Sequence, residues 1–287
     1  MDFVLVLHSH LPFVLGHGRW PHGSDWLMEA ALDCYLPLLE TLEDVGREGV
    51  SAPVTLGVTP VLAAQLAMPE FAVELRAFLA QRLAACDEAE SELNAAGDHT
   101  LVSLVGFWRD RYRRLNAQFE SIGCDIIGDL RKHERAGRIE IMSSAATHGF
   151  LPLLARDESV RLQLFAGLAE HRRIFGRTPA GCWLPECAYR PAGDWAPWPG
   201  GPYKAARAGI HTHLESAGYR YVVIDSHLAH AGKPLEAYHN GPAASAEVAE
   251  NSPYRDYTIG SSPRAVHALV RDPASTHHVW SRDHGYP

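Results

Sequence analysis

The clearest guide to the fold is the stretch Tyr221-Val222-Val223-Ile224-Asp225-Ser226-His227. It begins with apolar residues at odd and even positions alike, which is typical of a parallel strand with both faces covered, and it then stops at polar residues. Other short runs along the chain have the same character. The predicted strands are Phe3–Leu7, Val54–Val58, Ile139–Met142, Gly181–Leu184, Tyr221–Ile224 and Ala265–Val270.

The longer segments between these strands have the apolar spacing of helices. Strands that alternate with helices predict an α/β fold, in which right-handed crossovers build either an open doubly wound sheet or a barrel. One connection is far longer than a crossover needs, and residues 69–136 are predicted to form a helical hairpin inserted into the domain. The predicted helices are Asp25–Glu43, Pro69–Asn94, His99–Ala136, Glu158–Phe175 and Ala205–Ser216.

Composition narrows the class of protein. The 287 residues are 46% hydrophobic, enough for a sizeable core, and the net charge of −8 argues against nucleic acid or an anionic membrane as a partner. No apolar segment reaches the roughly 18 residues that span a bilayer, and the N-terminus lacks the features of a secretion signal. The 5 cysteines form no CxxC pair, so a reducing cytoplasm is the expected location.

The last part of the chain adds two expectations. Residues 230–254 are rich in Ala, Gly, Pro and Asn without periodicity, which predicts a long exposed loop. After Val270 no further helix or strand is recognised, so a barrel would be left open with an exposed edge. We therefore expect residues 1–287 to be a catalytic α/β domain that stops before its last strand, as the N-terminal fragment of a longer protein.

Polar residues stand where most of the predicted strands end. The carboxyl ends of parallel strands meet at one edge of a sheet, where the active sites of α/β proteins collect. Any single polar residue there can be a satisfied core residue, but their convergence predicts a functional site. The residues concerned are His8, His10, Thr59, His148, Glu186, Asp225 and His227.

Glu186 is the strongest individual candidate. It follows an apolar strand and Pro185, and Trp183, Tyr189 and Trp195 are close in sequence. Aromatic rings beside a carboxylate suit a sugar site, because apolar sugar faces stack on rings while the carboxylate attacks or stabilises the anomeric carbon. The plain alternative is a glutamate at a helix N-terminus that accepts backbone N–H groups.

His8 and His10 leave two interpretations open. On an extended segment a His-x-His pair points both rings to the same side, so a metal-dependent hydrolase or deacetylase that uses both residues and an aspartate is one of them. The other needs no metal, because neutral imidazoles hydrogen-bond sugar hydroxyls and orient carboxylates.

The remaining candidates are less specific. His211 and His213 are expected to be solvated, and His213 lies in a helical pattern, where residues two apart do not share a face. Cys182 and Cys187 are expected to pack rather than react, since a nucleophilic Cys187 would need a base beside it.

Several motifs in colinear order resemble glycoside hydrolase family 57 and, within it, the 1,4-α-glucan branching enzymes. The string Trp183-Leu184-Pro185-Glu186-Cys187-Ala188-Tyr189, continued by Arg190-Pro191-Ala192-Gly193, is the most specific of them. The others are His8-Ser9-His10-Leu11-Pro12, Val58-Thr59-Pro60-Val61-Leu62, Ala146-Thr147-His148-Gly149-Phe150-Leu151-Pro152-Leu153-Leu154, and Val279-Trp280-Ser281-Arg282 with Gly285-Tyr286-Pro287.

The resemblance implies a (β/α)7-type barrel, incomplete in this chain, with a helical insertion and a helical C-terminal domain expected beyond Pro287. It implies a retaining mechanism, in which a strand-four glutamate forms a covalent glycosyl-enzyme, without a metal or other cofactor. The motif match carries the nucleophile onto Glu186. Substrate-binding roles are expected for His8, His10, His148, Trp183, Trp280 and, more loosely, Tyr238 in the long loop.

The resemblance also implies the substrate and the reaction. An α-glucan such as amylose or glycogen would be cleaved at an α-1,4 bond and transferred to a 6-hydroxyl. An α-amylase or 4-α-glucanotransferase of the same family and a non-catalytic glucan-binding protein are the alternatives. The family's acid/base aspartate belongs to a later strand, and Asp225 and Asp272 are on the wrong strands, so the chain by itself is expected to be inactive.

Overall fold

The computed structural model describes residues 3–50, 53–196, 204–229 and 252–280. The chain divides into two compact units, one of Met1–Leu56 with Val61–Glu140 and the other of Gly57–Pro60 with Ile141–Pro287. Within the described ranges, no helix is both long and apolar enough to cross a membrane.

The first unit is mainly helical. Its elements are β1 (Val6–Ser9), α1 (Ser24–Ala30), α2 (Leu36–Arg47), the first three residues of β2 (Val54–Val58), all but the first residue of α3 (Pro60–Leu66), α4 (Pro69–Ala96), α5 (His99–Ser121) and α6 (Ile126–Arg135). A turn of π-helix, Ala31–Tyr35, joins α1 to α2. The two strands are neighbours, because the Thr55 amide donates to the Leu5 carbonyl at 3.0 Å.

Local sequence explains where the long helices begin and end. Gly97 ends α4 with φ +74°, a conformation that glycine adopts without steric cost. The Asp98 carboxylate then caps α5 by accepting a first-turn amide at 3.1 Å. The prediction of one helix over His99–Ala136 is wrong, because Cys124 interrupts it with φ +59° and Asp125 caps a new helix, α6.

The second unit is an α/β assembly. Its elements are β3 (Ile139–Ser144), α7 (Asp157–Phe175), β4 (Gly181–Trp183), β5 (Gly193–Trp195), β6 (Ala205–Arg207), α8 (Ile210–Ala217), β7 (Tyr221–Ile224), α9 (Ser226–Ala229), β8 (Asp256–Ile259), β9 (Val266–Val270) and α10 (Pro273–Trp280). Five strands are hydrogen-bonded in the order β3-β4-β7-β9-β8, and only β8 runs antiparallel to its neighbour. This mostly parallel sheet confirms the predicted α/β class, while closure into a barrel stays a prediction.

Some elements differ from the sequence prediction. Residues 205–207 are predicted to be helical but form β6, because antiparallel pairing with β5 overrides the helical preference of alanine. The sequence reading misses β5 and β8, which are short. It also misses α10, which follows β9 where no further element is expected. Residues 230–251 of the expected loop lie outside the described residues.

The core of the second unit lies between its helices and its strands. Apolar side chains of α7 and α8, among them Leu164, Leu168, Ile210 and Leu214, pack in one cluster with Val222 of β7 and are almost fully buried. Burial of this apolar surface is the main stabilising contribution to the unit and fixes the strand ends on which the polar residues stand.

Candidate functional site

Glu186 lies on a tight turn directly after β4. In this turn, Pro185–Cys187, the Cys187 amide donates to the Leu184 carbonyl at 2.8 Å. Glu186 and Cys187 take positive φ values of +57° and +52°. Pro185 and Cys187 are buried while Glu186 is exposed, so the turn directs the carboxylate outward. Glu186 is therefore not the N-terminal glutamate of an α-helix.

Cys187 is a packing residue. Its side chain is fully buried, and burial raises the pKa of the thiol to about 12, so the thiol stays protonated near neutral pH. Cys182 on β4 is equally buried. The expectation that both cysteines pack rather than react is confirmed.

His148 follows β3 and is connected to β4 through Ser144. The Ser144 hydroxyl donates to the Trp183 carbonyl at 2.8 Å, so a lone pair of the same oxygen accepts Nδ1–H of His148 at 3.1 Å. This arrangement selects the Nδ1–H tautomer of the neutral imidazole. His148 also has a left-handed backbone, with φ +57°. Sequence reasoning missed Ser144, whose only signal is its position at the end of a strand.

Helix α7 approaches the end of β3 closely because residue 167 is glycine. A Cβ atom at Gly167 would lie 2.4 Å from the Ser144 carbonyl oxygen, which is too short for a real contact. Gln163 lies one turn earlier, and its side-chain oxygen accepts the Thr147 amide at 3.0 Å. Contacts from α7 thus hold the backbone that carries Ser144 and His148.

Asp225 and Arg271 form a buried ion pair at the ends of β7 and β9, with side chains 12% and 11% exposed. Burial raises the pKa of Asp225, but hydrogen bonds from His227 and the charge of Arg271 more than offset this, so the pKa lies below its ordinary value. An ionised carboxylate is a poor proton donor. The Asp225 amide donates to the Cys187 carbonyl at 3.3 Å, which connects the pair to the turn that carries Glu186.

These contacts join the ends of four neighbouring strands, β3, β4, β7 and β9. They connect the segments that carry three predicted site residues, His148, Glu186 and Asp225, into one network within the second unit, with Glu186 connected through the backbone of its turn. The network offers an exposed carboxylate, an imidazole of fixed tautomer and a carboxylate held in its ionised form. This set can attack an electrophilic carbon and bind hydroxyl groups.

A second buried ion pair lies at the start of α7. The Asp157 carboxylate accepts a hydrogen bond from Nε–H of Arg207 at 2.6 Å, and the Arg207 side chain is 4% exposed. His213 is buried with its Nε2 3.6 Å from the same carboxylate, and Nδ1 of His211 lies 2.8 Å from the Tyr189 hydroxyl. The expectation that His211 and His213 are solvated is wrong, because both rings of α8 contact neighbouring polar side chains.

The aromatic residues near Glu186 have other partners. Trp183 is 4% exposed, so a sugar could stack on its ring only after neighbouring groups move. Trp195 lies 5.3 Å from the guanidinium of Arg207, in a cation–π contact. This contact places Trp195 beside the second ion pair.

Helix α10 ends the described part of the chain. Asp272 caps it by accepting the Ser275 amide at 2.7 Å, and this hydrogen bond lowers the pKa of Asp272. Trp280 is the last residue of α10, and its side chain lies outside the described residues, as does all of Tyr238. The expected substrate contacts of both residues stay predictions.

His8 and His10 belong to the first unit, where they lie at the end of β1 and are half-buried. Burial lowers the pKa of His10, which favours the neutral imidazole at pH 7. A neutral imidazole suits the hydroxyl-binding interpretation. Among the described residues, no group of three or more His, Cys, Asp or Glu side chains is arranged to hold a metal ion.

Comparisons with known proteins agree on one family. The family model "Glycosyl hydrolase family 57" matches residues 4–273. The 1,4-alpha-glucan branching enzyme TK1436 of Thermococcus kodakarensis is 40% identical over 283 residues, which cover 98% of this chain and 40% of that protein.

Solved structures give the same result. The crystal structure of TK1436 in complex with glucose and additives matches with a TM-score of 0.85 and 38% identity, over 99% of this chain and 50% of that one. The branching enzyme of Pyrococcus horikoshii matches with a TM-score of 0.84 and 33% identity, over 96% of this chain and 48% of that one. The chain thus spans about half the length of these relatives or less.

Proposed function

Since this chain belongs to glycosyl hydrolase family 57, we propose that Glu186 is the nucleophile of a retaining 1,4-α-glucan branching enzyme. The substrate is an α-glucan such as amylose, and the product carries new α-1,6 branches. Two relatives that are branching enzymes by name, at 40% and 33% identity, support branching as the reaction.

One observation carries the assignment of Glu186: an exposed carboxylate stands on a left-handed backbone at the end of a buried strand. This conformation costs a residue other than glycine roughly 1–2 kcal/mol, and such cost concentrates at functional sites. The same turn keeps the carboxylate out of the core. Its geometry therefore suits a group that must reach a bound sugar.

The proposed reaction has two steps. In the first, a carboxylate oxygen of Glu186 attacks C1 of a glucose unit, the C1–O4 bond breaks, and O4 takes a proton from a carboxylic acid. In the second, the 6-hydroxyl oxygen of an acceptor glucan attacks C1, the ester bond to Glu186 breaks, and the hydroxyl proton passes to the carboxylate formed in the first step. Two inversions at C1 retain the α configuration.

The other predicted residues are assigned to substrate binding. The Nδ1–H tautomer of His148 suits Nε2 to accept a sugar hydroxyl, and His10 offers a neutral imidazole for the same purpose. His8, Trp183, Tyr238 and Trp280 are further proposed contacts with the glucan.

The acid that protonates O4 is assigned to neither Asp225 nor Asp272. The first is held ionised by Arg271 and His227, and the second caps α10. We propose that this acid is an aspartate outside these 287 residues, and we expect the chain by itself to bind glucan without turning it over. Loss of general acid catalysis costs about 10²- to 10⁴-fold in rate.

The experiment uses the protein as its gene encodes it, with amylose as the substrate. Glu186→Gln should abolish the formation of α-1,6 branches, while Glu88→Gln, the same chemical change on the exposed side of α4, should leave the rate unchanged. Full activity of Glu186→Gln would disprove the assignment of the nucleophile.

Product analysis separates branching from the related reactions. A debranching enzyme releases short chains from a branched product but not from the products of an α-amylase or a 4-α-glucanotransferase. Release of such chains from treated amylose is the result expected, and its absence together with shortened linear chains would favour hydrolysis or α-1,4 transfer.

A further inference from the structure

His227 is a residue for which the proposed reaction has no role. It is the second residue of α9, directly beyond the end of β7. Its ring Nδ1 lies 2.8 Å from Oδ1 of Asp225, and the other oxygen of that carboxylate pairs with Arg271. The side chains of Asp225 and Arg271 are nearly buried, whereas that of His227 is 38% exposed. The ion pair therefore lies inside, and the imidazole faces outward.

The contacts also fix which ring nitrogen carries the proton. The Asp225 carboxylate is ionised and can only accept hydrogen bonds, so Nδ1 of His227 is the donor. In the neutral imidazole, Nε2 then has a lone pair and accepts. No group among the described residues hydrogen-bonds this nitrogen. His227 thus presents an oriented acceptor to its surroundings.

The local backbone does not require a histidine at this position. Asp225 caps the start of α9 by accepting the backbone amide of residue 227 at 3.2 Å, and any residue other than proline supplies that amide. The amide of Asp225 is bonded to the carbonyl of Cys187, next to Glu186. The imidazole therefore stands at the same group of strand ends as the proposed nucleophile.

We propose that Nε2 of His227 accepts a hydrogen bond from a hydroxyl of the bound α-glucan, and that Asp225 and Arg271 are positioning residues that orient the ring. This inference rests on the proposed function, because the ligand is its substrate. Asp225 fixes the tautomer and the rotation of the ring, and Arg271 compensates the carboxylate charge.

Two substitutions distinguish a role of His227 in glucan binding from a role in stability, because each new side chain replaces one of the two ring nitrogens with a group of the same hydrogen-bonding type. His227→Asn retains a side-chain N–H near the position of Nδ1, which can reach Asp225, and loses the outer acceptor. His227→Gln retains an oxygen near the position of Nε2 and loses the contact with Asp225. Affinity for maltohexaose is measured by calorimetry in the protein as its gene encodes it, in the Glu186→Gln background so that no turnover occurs. Tm is measured in parallel.

The inference predicts that His227→Asn weakens maltohexaose binding by about 3- to 10-fold, the range expected for one hydrogen bond, with an unchanged Tm. His227→Gln should bind more tightly than His227→Asn. Wild-type affinity in His227→Asn would overturn the inference. If His227→Asn lowers the Tm, His227→Gln is compared with His227→Ala instead: tighter binding by the glutamine variant supports the inference, and equal affinities overturn it.

The same measurements keep the two proposals apart. If the Glu186→Gln protein binds maltohexaose and the His227 variants bind equally well, only the role of His227 fails. If the protein with His227 intact neither binds maltohexaose nor acts on amylose, the proposed function fails and this inference fails with it.

Discussion

The helices of the first unit and the strand ends of the second are held by different kinds of interaction. On α4 and α5 each ion pair has an exposed carboxylate. Arg76 and Glu120 are 51% and 46% exposed, and Arg109, 13% exposed, pairs with Asp87 and Glu90, which are 71% and 39% exposed. In the second unit both partners are more buried, with side chains 4% and 27% exposed in Arg207–Asp157 and 11% and 12% exposed in Arg271–Asp225. Removing one partner of a desolvated ion pair strongly destabilises a protein, whereas removing one partner of a solvated pair changes its stability little.

The helices of the first unit and the strand ends of the second also differ in backbone conformation. Among the described residues, four other than glycine have positive φ, and three of them, His148, Glu186 and Cys187, lie at the strand ends of the second unit. The fourth, Cys124, lies in the turn between α5 and α6. Regular helices tolerate many substitutions, whereas these strand ends depend on particular residues, and the following variants test that difference.

The largest effect is expected from removing one partner of a buried ion pair. Asp157→Ala leaves the guanidinium of Arg207 buried without its carboxylate and should lower the free energy of unfolding by about 3 kcal/mol. The matched variant in the first unit, Glu120→Ala, removes the exposed partner of Arg76 and should leave the urea midpoint unchanged. Equal urea midpoints for both variants would contradict the proposed difference between the two ion pairs.

Two glycine substitutions probe packing in the two regions. Gly167→Ala places a Cβ atom 2.4 Å from the Ser144 carbonyl and should destabilise the protein by about 1–3 kcal/mol. Gly106→Ala in α5 meets nothing within 4 Å and should stabilise it by about 0.5–1 kcal/mol. Thermal unfolding measures both, and shifts of the same sign would contradict the account.

Because Glu186 has a left-handed backbone, replacing it with glycine is expected to stabilise the protein while it abolishes activity. Glu186→Gly relieves the backbone strain and should raise the free energy of unfolding by up to about 1 kcal/mol while abolishing branch formation. Glu88→Gly, inside α4, should do the opposite, with lower stability and full activity. Chemical denaturation and the amylose assay on both variants give the comparison.

An effect of similar size is expected in the dependence of stability on pH. His171 is buried on α7 beside Phe175, and burial lowers its pKa to about 4. The unfolded chain, with an ordinary pKa of about 6.5, binds more protons between pH 4 and 6.5, so stability falls as pH falls through this window. Between pH 6.5 and 5.5 the wild type should lose about 1 kcal/mol more than His171→Leu. Parallel stability curves would contradict this.

The sequence predicts an element correctly where the residue pattern of that element is itself the physical cause of its structure. The apolar run of Tyr221–Ile224 forms β7 over the predicted residues, because a strand covered on both faces needs apolar residues throughout. Short strands such as Asp256–Ile259 were missed, since their pairing with Val266–Val270 is set by tertiary contacts rather than by composition.

The candidate site was predicted at its strand ends but not in its supporting contacts. His148, Glu186 and Asp225 stand out in the sequence because polar residues follow apolar runs. Ser144 and Gly167 carry no such signal, since the role of each depends on a partner that lies elsewhere in the chain. Such partners become visible only when the strands and α7 are assembled.

The role of Glu186 is tested most directly by trapping the covalent intermediate. A fluorinated maltosyl fluoride, which slows release from the enzyme, is incubated with the protein as its gene encodes it, and the peptides are analysed by mass spectrometry. We expect a glycosyl group on the carboxylate of Glu186 in the wild type and none in Glu186→Gln. A glycosyl group on another residue, or undiminished branch formation by Glu186→Gln, would contradict it.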